Sequence, residues 1–213
     1  MLSTVAWCLG GQIAYALEGA VFVAGSAVKW MRDAVKWVES ASETKDLALS
    51  LTSTEGVMMV PAFVGLGAPY WDSHARGAIF GLTRGATRAH LVHAALESVA
   101  FQSKDLLQLM EAESGLRLSS LRVDGGMTAN NFLMQFQSDL LSVAIERPIL
   151  QESTALDAAY LAGLQAGYWS NINEIAGFRQ VERLFVPQMD PHNARILYAR
   201  WQKAVEAVRL FGS

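Results

Sequence analysis

The residues whose types and spacing could do chemistry are a glycine pair, and a glycine and a lysine four apart. The pair lies in Leu121-Arg122-Val123-Asp124-Gly125-Gly126-Met127-Thr128-Ala129-Asn130-Asn131-Phe132. Leu121 to Val123 is a short β-prone run. Gly125 and Gly126 have no Cβ, so the backbone there can take positive φ and another molecule can lie against it. Thr128 is the expected N-cap of a helix in which Phe132, Leu133, Phe136, Leu140 and Leu141 recur at helical spacing. A helix start carries unpaired N–H groups and partial positive charge, which suits a phosphate or a ribose. Ligands of open α/β sheets sit at such turns, outside the carboxyl ends of strands. A plain strand–helix connection reads equally well, because the stretch is neither a P-loop nor GxGxxG. Gly25 and Lys29 share one face of a helix near its start. Close helix packing for the glycine and solvation for the lysine are the alternatives.

Other chemistries find little support. HExxH, cysteine or histidine ligand spacing, a Walker A lysine and GxSxG are all absent from the sequence. His90 and His93 lie three apart at a helix start, without a third ligand, and read as surface or capping residues. Asp72 follows Tyr70-Trp71 in a loop and can hold it by accepting backbone N–H groups. Asp124 is placed either to face a nucleotide or a magnesium-bound water, or to anchor the turn. Asp157 near a helix start is explained by the helix dipole. The six tryptophans show no repeat and read mostly as core. A net charge of −3 gives no footprint for nucleic acid, and no basic patch interleaves with aromatics. Cys8 is the only cysteine, so neither an intrachain disulfide nor a cysteine metal cluster can form. It reads as a small core residue, and its solitude fits a reducing, cytoplasmic compartment. The apolar first 28 residues are interrupted by Glu18 and four glycines, which argues against a membrane span or a leader.

The elements that must position these residues follow from pattern. With 52% hydrophobic and 17% charged residues, the chain of 213 can build a substantial core. Ser3–Leu9 and Gln12–Leu17 flank Gly10-Gly11 and predict a hairpin. A helix is expected over 19–38, a loop and short helix over 40–51, and strands over 56–63 and 77–82. Thr87 opens a long helix to about Glu113, closed by Gly115. After the central stretch come a strand over 144–148 and an Ala- and Gly-rich helix over 154–166, whose small residues suggest tight packing on the sheet. A short helix over 171–177 and an extended run over 181–186 follow. Asp190-Pro191 then opens a last helix to about Leu210. Strands first and β–α alternation afterwards make an α/β layered domain with a mixed sheet flanked by helices. The chain enters strand-like sequence almost at once, so a piece of a longer protein is expected.

VPAFVGLGAPYWDSHARGAIFGLTRG (60–85), continued by His90-Leu91 and Ala94-Ala95-Leu96-Glu97, resembles the FGGY carbohydrate kinases. GLGAPYWD (65–72) with Ala75-Arg76-Gly77 points to the branch of that family that phosphorylates glycerol. ALEGAVFVAG (16–25), RVDGG (122–126), ANNFLMQFQSDLL (129–141), ERP (146–148) and TALDAAYLAGLQAGYW (154–169) extend the resemblance over nearly the whole chain.

The resemblance implies an actin-like (RNase H-like) ATPase fold of two domains around a cleft, with this chain as the second, nucleotide-side domain. That domain's first strands and the whole first domain, with its polyol contacts and Gly-Asp-Gln catalytic base, are expected to lie outside the chain. No Gly-Asp-Gln triplet occurs in it. The sheet is therefore expected to begin with an unpaired edge. On the nucleotide side, the resemblance places Gly126 beside the nucleotide with Gly125 next to it, Asn130 toward the adenine, and Gly25 nearby. Lys29 stands where the family often has Gln, which exchanges an amide contact for a cation able to approach a phosphate. The implied reaction is ATP and glycerol to ADP and glycerol 3-phosphate in glycerol catabolism, with Mg2+ on the phosphates. Glycerol itself would be held mostly by the other domain, the whole enzyme would be a homo-oligomer, and this chain alone would be inactive. The alternatives are another FGGY sugar or polyol kinase, or a non-catalytic nucleotide-binding or interaction fragment. PQMDPHNAR (187–195) shows no match to a regulatory docking segment.

Overall fold

A computed structural model describes residues 1–150 and 153–212. It opens on a hairpin of β1 (Leu2–Leu9) and β2 (Gln12–Glu18), joined by Gly10 at φ 56° and Gly11 at φ 81°. Two positive φ values in a two-residue loop give the turn whose twist matches a hairpin. α1 (Gly25–Asp33), α2 (Glu43–Leu49), β3 (Met58–Val60) and β4 (Ala78–Phe80) follow, then the long α3 (Arg88–Ser114). β5 (Ser120–Arg122) leads through a 3-10 turn, Gly126–Ala129, into α4 (Asn131–Leu141). β6 (Ala144–Pro148), α5 (Ser153–Gln165), α6 (Ile172–Ala176), β7 (Val181–Phe185) and α7 (Pro191–Gly212) complete the order.

α3 is the centre of the molecule. From Val92 to Phe101 every residue is buried, as befits a helix contacted by α1, α2, α4 and β3. Thr87 and His90 close a capping box at its start, and Gly115 at φ 70° ends it in the left-handed conformation. Phe101 stacks on Trp201 of α7, with ring centroids 5.3 Å apart, in a core that also holds Leu133, Phe136, Ile145 and Phe185. A second cluster joins Met31 of α1 to Val57, Met59 and Val92. In the 65–72 loop, Leu66 and Asp72 exchange backbone hydrogen bonds, and Asp72 Oδ1 accepts from His74 and Ala75 N–H as expected.

Several expectations are corrected. The expected mixed sheet is present as β5-β6-β7, with β5–β6 parallel and β6–β7 antiparallel, but among the described residues β1-β2 and β3-β4 pair as two further sheets of their own. The helix expected over 19–38 is only α1. Gly19 packs so closely on Leu106 that any Cβ would overlap it, and Gln102 Nε2 donates to Val23 O at 2.9 Å, so 19–24 crosses α3 without helical pairing. Lys36 at φ 56° ends the other side. Cys8 is exposed, because the hairpin packs neither face on the core. The small residues of α5 do not pack on a sheet either: Ala155, Ala158, Ala159 and Ala162 are all exposed. Of the six tryptophans, Trp201 alone is fully buried, while Trp7 and Trp71 are exposed. His93 is buried, not on the surface: its ring meets Phe132 edge-on, and its Nε2 lies 3.3 Å from Glu97 Oε1.

Candidate functional site

The glycine turn is built where β5 leaves the sheet. Val123 N–H donates to Glu146 O of β6 at 3.2 Å as the chain leaves the sheet. Gly125 then takes φ 82°, ψ 168°. No L-residue adopts that geometry without strain, which is the physical reason for glycine here. Thr128 N–H and Oγ1 both donate to Gly125 O, at 3.0 and 2.7 Å, closing the 3-10 turn. The expected cap is therefore corrected: Thr128 serves the turn, and Asn130 is the N-cap of α4, its Oδ1 accepting from Leu133 N–H at 3.2 Å. Thr128 fails as a cap because it is already inside a helical turn, whereas Asn130 has the extended φ/ψ a cap needs.

The turn presents bare backbone. An ideal Cβ on Gly125 or Gly126 meets no atom within 4 Å. At Gly25, the first residue of α1, such a Cβ would lie 3.5 Å from Met127 Sδ. The structure thus brings the start of α1 against the residue that follows the glycine pair, about a hundred positions along the chain. Lys29 is exposed one turn further along α1. Asn130 is half-buried, and its Nδ2 donates to Thr44 Oγ1 of α2 at 3.4 Å. Thr44 is itself buried and donates to Ala41 O at 2.6 Å. A primary amide offers two donors and two acceptor lone pairs. The cap and Thr44 use one of each, leaving Asn130 one N–H and one lone pair.

Arg147 of β6 supports the turn from the sheet side. It is buried, and its Nη1 donates to Thr128 O at 2.6 Å and to Asn131 Oδ1 at 2.9 Å. Its Nε and Nη2 reach Glu182 of β7 at 2.5 and 3.2 Å. The hydrogen bond from Arg147 holds the Glu182 carboxyl below the usual carboxylate range. Neither Arg147 nor Thr44 stood out in sequence. ERP was visible as a matched string, but the arginine's task depends on the β6–β7 pairing, and Thr44 lies 86 positions from Asn130.

Asp124, at the start of the turn, and Asp157 of α5 share one cleft. The cleft, of about 720 Å3, lies at the carboxyl ends of β5 and β6, with Leu156, Tyr160, Ile175 and Phe178 as apolar wall. Glu146 anchors its edge, accepting from Arg179 Nη2 at 2.6 Å. Among the described residues no group of three or more His, Cys, Asp or Glu comes together that could hold a metal ion. No described helix is long and apolar enough to cross a membrane.

Comparison with known proteins identifies this architecture. The profile of the FGGY family of carbohydrate kinases, C-terminal domain, matches residues 8–166. The chain is 57% identical over 211 residues to a glycerol kinase of Geobacillus sp. (strain WCH70), covering 99% of this chain and 42% of that protein. It is 55% identical over 211 residues to a glycerol kinase of Thermus thermophilus, with the same coverage of 99% and 42%. The chain thus spans 42% of the length of these relatives. Among solved structures it is similar to the Plasmodium falciparum glycerol kinase with ADP, at TM-score 0.90 and 37% identity, over 97% of this chain and 42% of that one. A xylulose kinase from Lactobacillus acidophilus shares the fold, at TM-score 0.74 and 24% identity over 97% of this chain and 43% of that one. The fold is that of the actin-like ATPases, here with its layers built on α3 and the β5-β6-β7 sheet. The chain belongs to the FGGY family of carbohydrate kinases, and its residues 8–166 match that family's C-terminal domain.

Proposed function

We propose that the chain is the nucleotide-side domain of an ATP-dependent glycerol kinase, and that its glycine turn receives the adenosine part of ATP and ADP. One observation carries the reading. The open backbone of Gly125-Gly126 is followed by Met127, which lies against Gly25 at the start of α1, in a chain that superposes at TM-score 0.90 on a glycerol kinase solved with ADP. In this reading the nucleotide lies on Gly125 and Gly126 beside Gly25. Asn130 offers its remaining N–H and lone pair to the adenine edge, and Lys29 approaches a phosphate.

The reaction is in-line transfer of the γ-phosphoryl group of ATP to a primary hydroxyl of glycerol. In such transfers the protein contributes positioning and charge stabilisation. This chain would hold the adenosine and fix where the phosphates start. Magnesium would bind through phosphates with one or two carboxylates, and would so arrive here on the nucleotide. Glycerol and the general base belong to the remaining part of the longer kinases, and the whole enzyme is proposed to be a cytoplasmic homo-oligomer. The test is a titration of the purified chain with ADP beside a glycerol phosphorylation assay. The reading expects ADP binding without turnover. Appreciable phosphorylation of glycerol by the chain alone, or the absence of ADP binding, would contradict it.

A further inference from the structure

We infer that Arg147 is the positioning residue that fixes the Gly125–Asn130 turn in its ligand-receiving shape, with Glu182 orienting the guanidinium for that task. The inference rests on the nucleotide reading of the turn.

The turn's own hydrogen bonds run within it: Thr128 to Gly125, and Asn130 N–H to Met127 O. They set its internal shape and leave its orientation to the sheet open. Between Val123 and the body of α4, the Nη1 of Arg147 ties the turn back to β6. Because one nitrogen bonds both Thr128 O and Asn131 Oδ1, the end of the 3-10 turn and the first residue of α4 move as one piece. The other edge of the guanidinium is clamped by Glu182 in a two-bond fork, and its face lies 5.2 Å from the Phe185 ring centre. Only a planar guanidinium serves all these partners at once; an ammonium is a point donor. Arg147 touches no position assigned to the ligand, so it acts through the turn.

The test compares Arg147→Met, Arg147→Lys and Glu182→Gln with Trp201→Phe, a core change at the α3–α7 interface, where the indole bonds Asp105 and stacks on Phe101. ADP affinity is measured by calorimetry well below each variant's melting temperature. Arg147→Met is expected to raise Kd by about tenfold or more, with Arg147→Lys close behind it, and Glu182→Gln by about threefold. Trp201→Phe should lower the melting temperature yet leave Kd within about twofold. A Kd for Arg147→Met within that margin would overturn the inference, as would an equal loss in Trp201→Phe. Should Arg147→Met not fold, Glu182→Gln decides, and an unchanged Kd overturns the inference. A wild-type chain that fails to bind ADP overturns the nucleotide reading instead. Amide exchange then judges the positioning role alone. Selective acceleration at Thr128 and Leu133 in the arginine or glutamate variants, with α3 unchanged, supports it, and unchanged exchange refutes it.

Discussion

The indole N–H of Trp201 donates to Asp105 Oδ2 at 2.7 Å, inside the interface between α7 and α3. Asp105 is 4% exposed and Trp201 fully buried, and Tyr198 closes the cluster by donating to Asp105 Oδ1 at 2.5 Å. A buried carboxylate is tolerated only when its lone pairs are satisfied. Trp201→Phe removes one donor and part of a ring stacked on Phe101. It should destabilise the chain by about 2–4 kcal/mol, read as a lower midpoint in urea at constant m.

The same cluster gives a pH dependence. Burial pushes the Asp105 carboxyl up, against the hydrogen bonds of Tyr198, Trp201 and Tyr70 that pull it down. An acid whose folded pKa is raised binds its proton more tightly when folded. Its contribution to stability is therefore full below the unfolded pKa and is lost as pH rises through the folded one. Asp105→Asn, which resembles the protonated acid, should remove this loss. The difference in unfolding free energy, wild type minus variant, should fall as pH climbs from the unfolded carboxylate range toward neutrality. A difference that rises with pH would contradict the account.

The two turn glycines should behave differently although they are adjacent. Gly125→Ala forces a side chain onto φ 82° and should cost about 1–2 kcal/mol of stability. Gly126 has no positive φ and open space around it. Gly126→Ala should leave stability unchanged or raise it by about 0.5 kcal/mol. Thermal unfolding of the two variants side by side checks this.

The β1–β2 hairpin exposes apolar residues on both faces, including Leu2, Val5, Ile13 and Tyr15. Val5 and Tyr15 are direct cross-strand partners on one face. An unpaired, apolar two-stranded ribbon is a template for association. Val5→Lys with Tyr15→Glu should keep the melting temperature, since surface changes cost within about 0.5 kcal/mol, and should slow concentration-dependent aggregation seen by light scattering.

Much of the fold was legible because local signals acted alone. Gly10-Gly11 set the hairpin, Thr87 and Gly115 bounded α3, and Asp190-Pro191 opened α7. The readings that failed were those decided by distant contacts. Gly19–Ala24 looked helical by pattern, but its contacts with Leu106 and Gln102 of α3 hold it in an irregular, bent path. Thr128 looked like a cap because it precedes an apolar repeat, and pattern does not reveal a 3-10 turn placed before the helix. The exposure of α5 and of Cys8 contradicts their apolar sequence, since burial depends on what is packed against them. In the proposed site, Gly125, Gly126 and Gly25 were visible by type, and Asn130 only through the family resemblance. Arg147 and Thr44, which hold them, were not, because their partners lie on other strands and helices.

The most direct measurement is a calorimetric titration of ADP with Mg2+ into the wild-type chain and into Gly126→Val. A valine at 126 meets no protein atom with its Cβ, so the fold should survive while the approach to the turn is blocked. The account predicts saturable binding to the wild type and a loss of about tenfold or more in the variant at unchanged melting temperature. Equal binding by both proteins would show that the nucleotide lies elsewhere and would contradict the central claim.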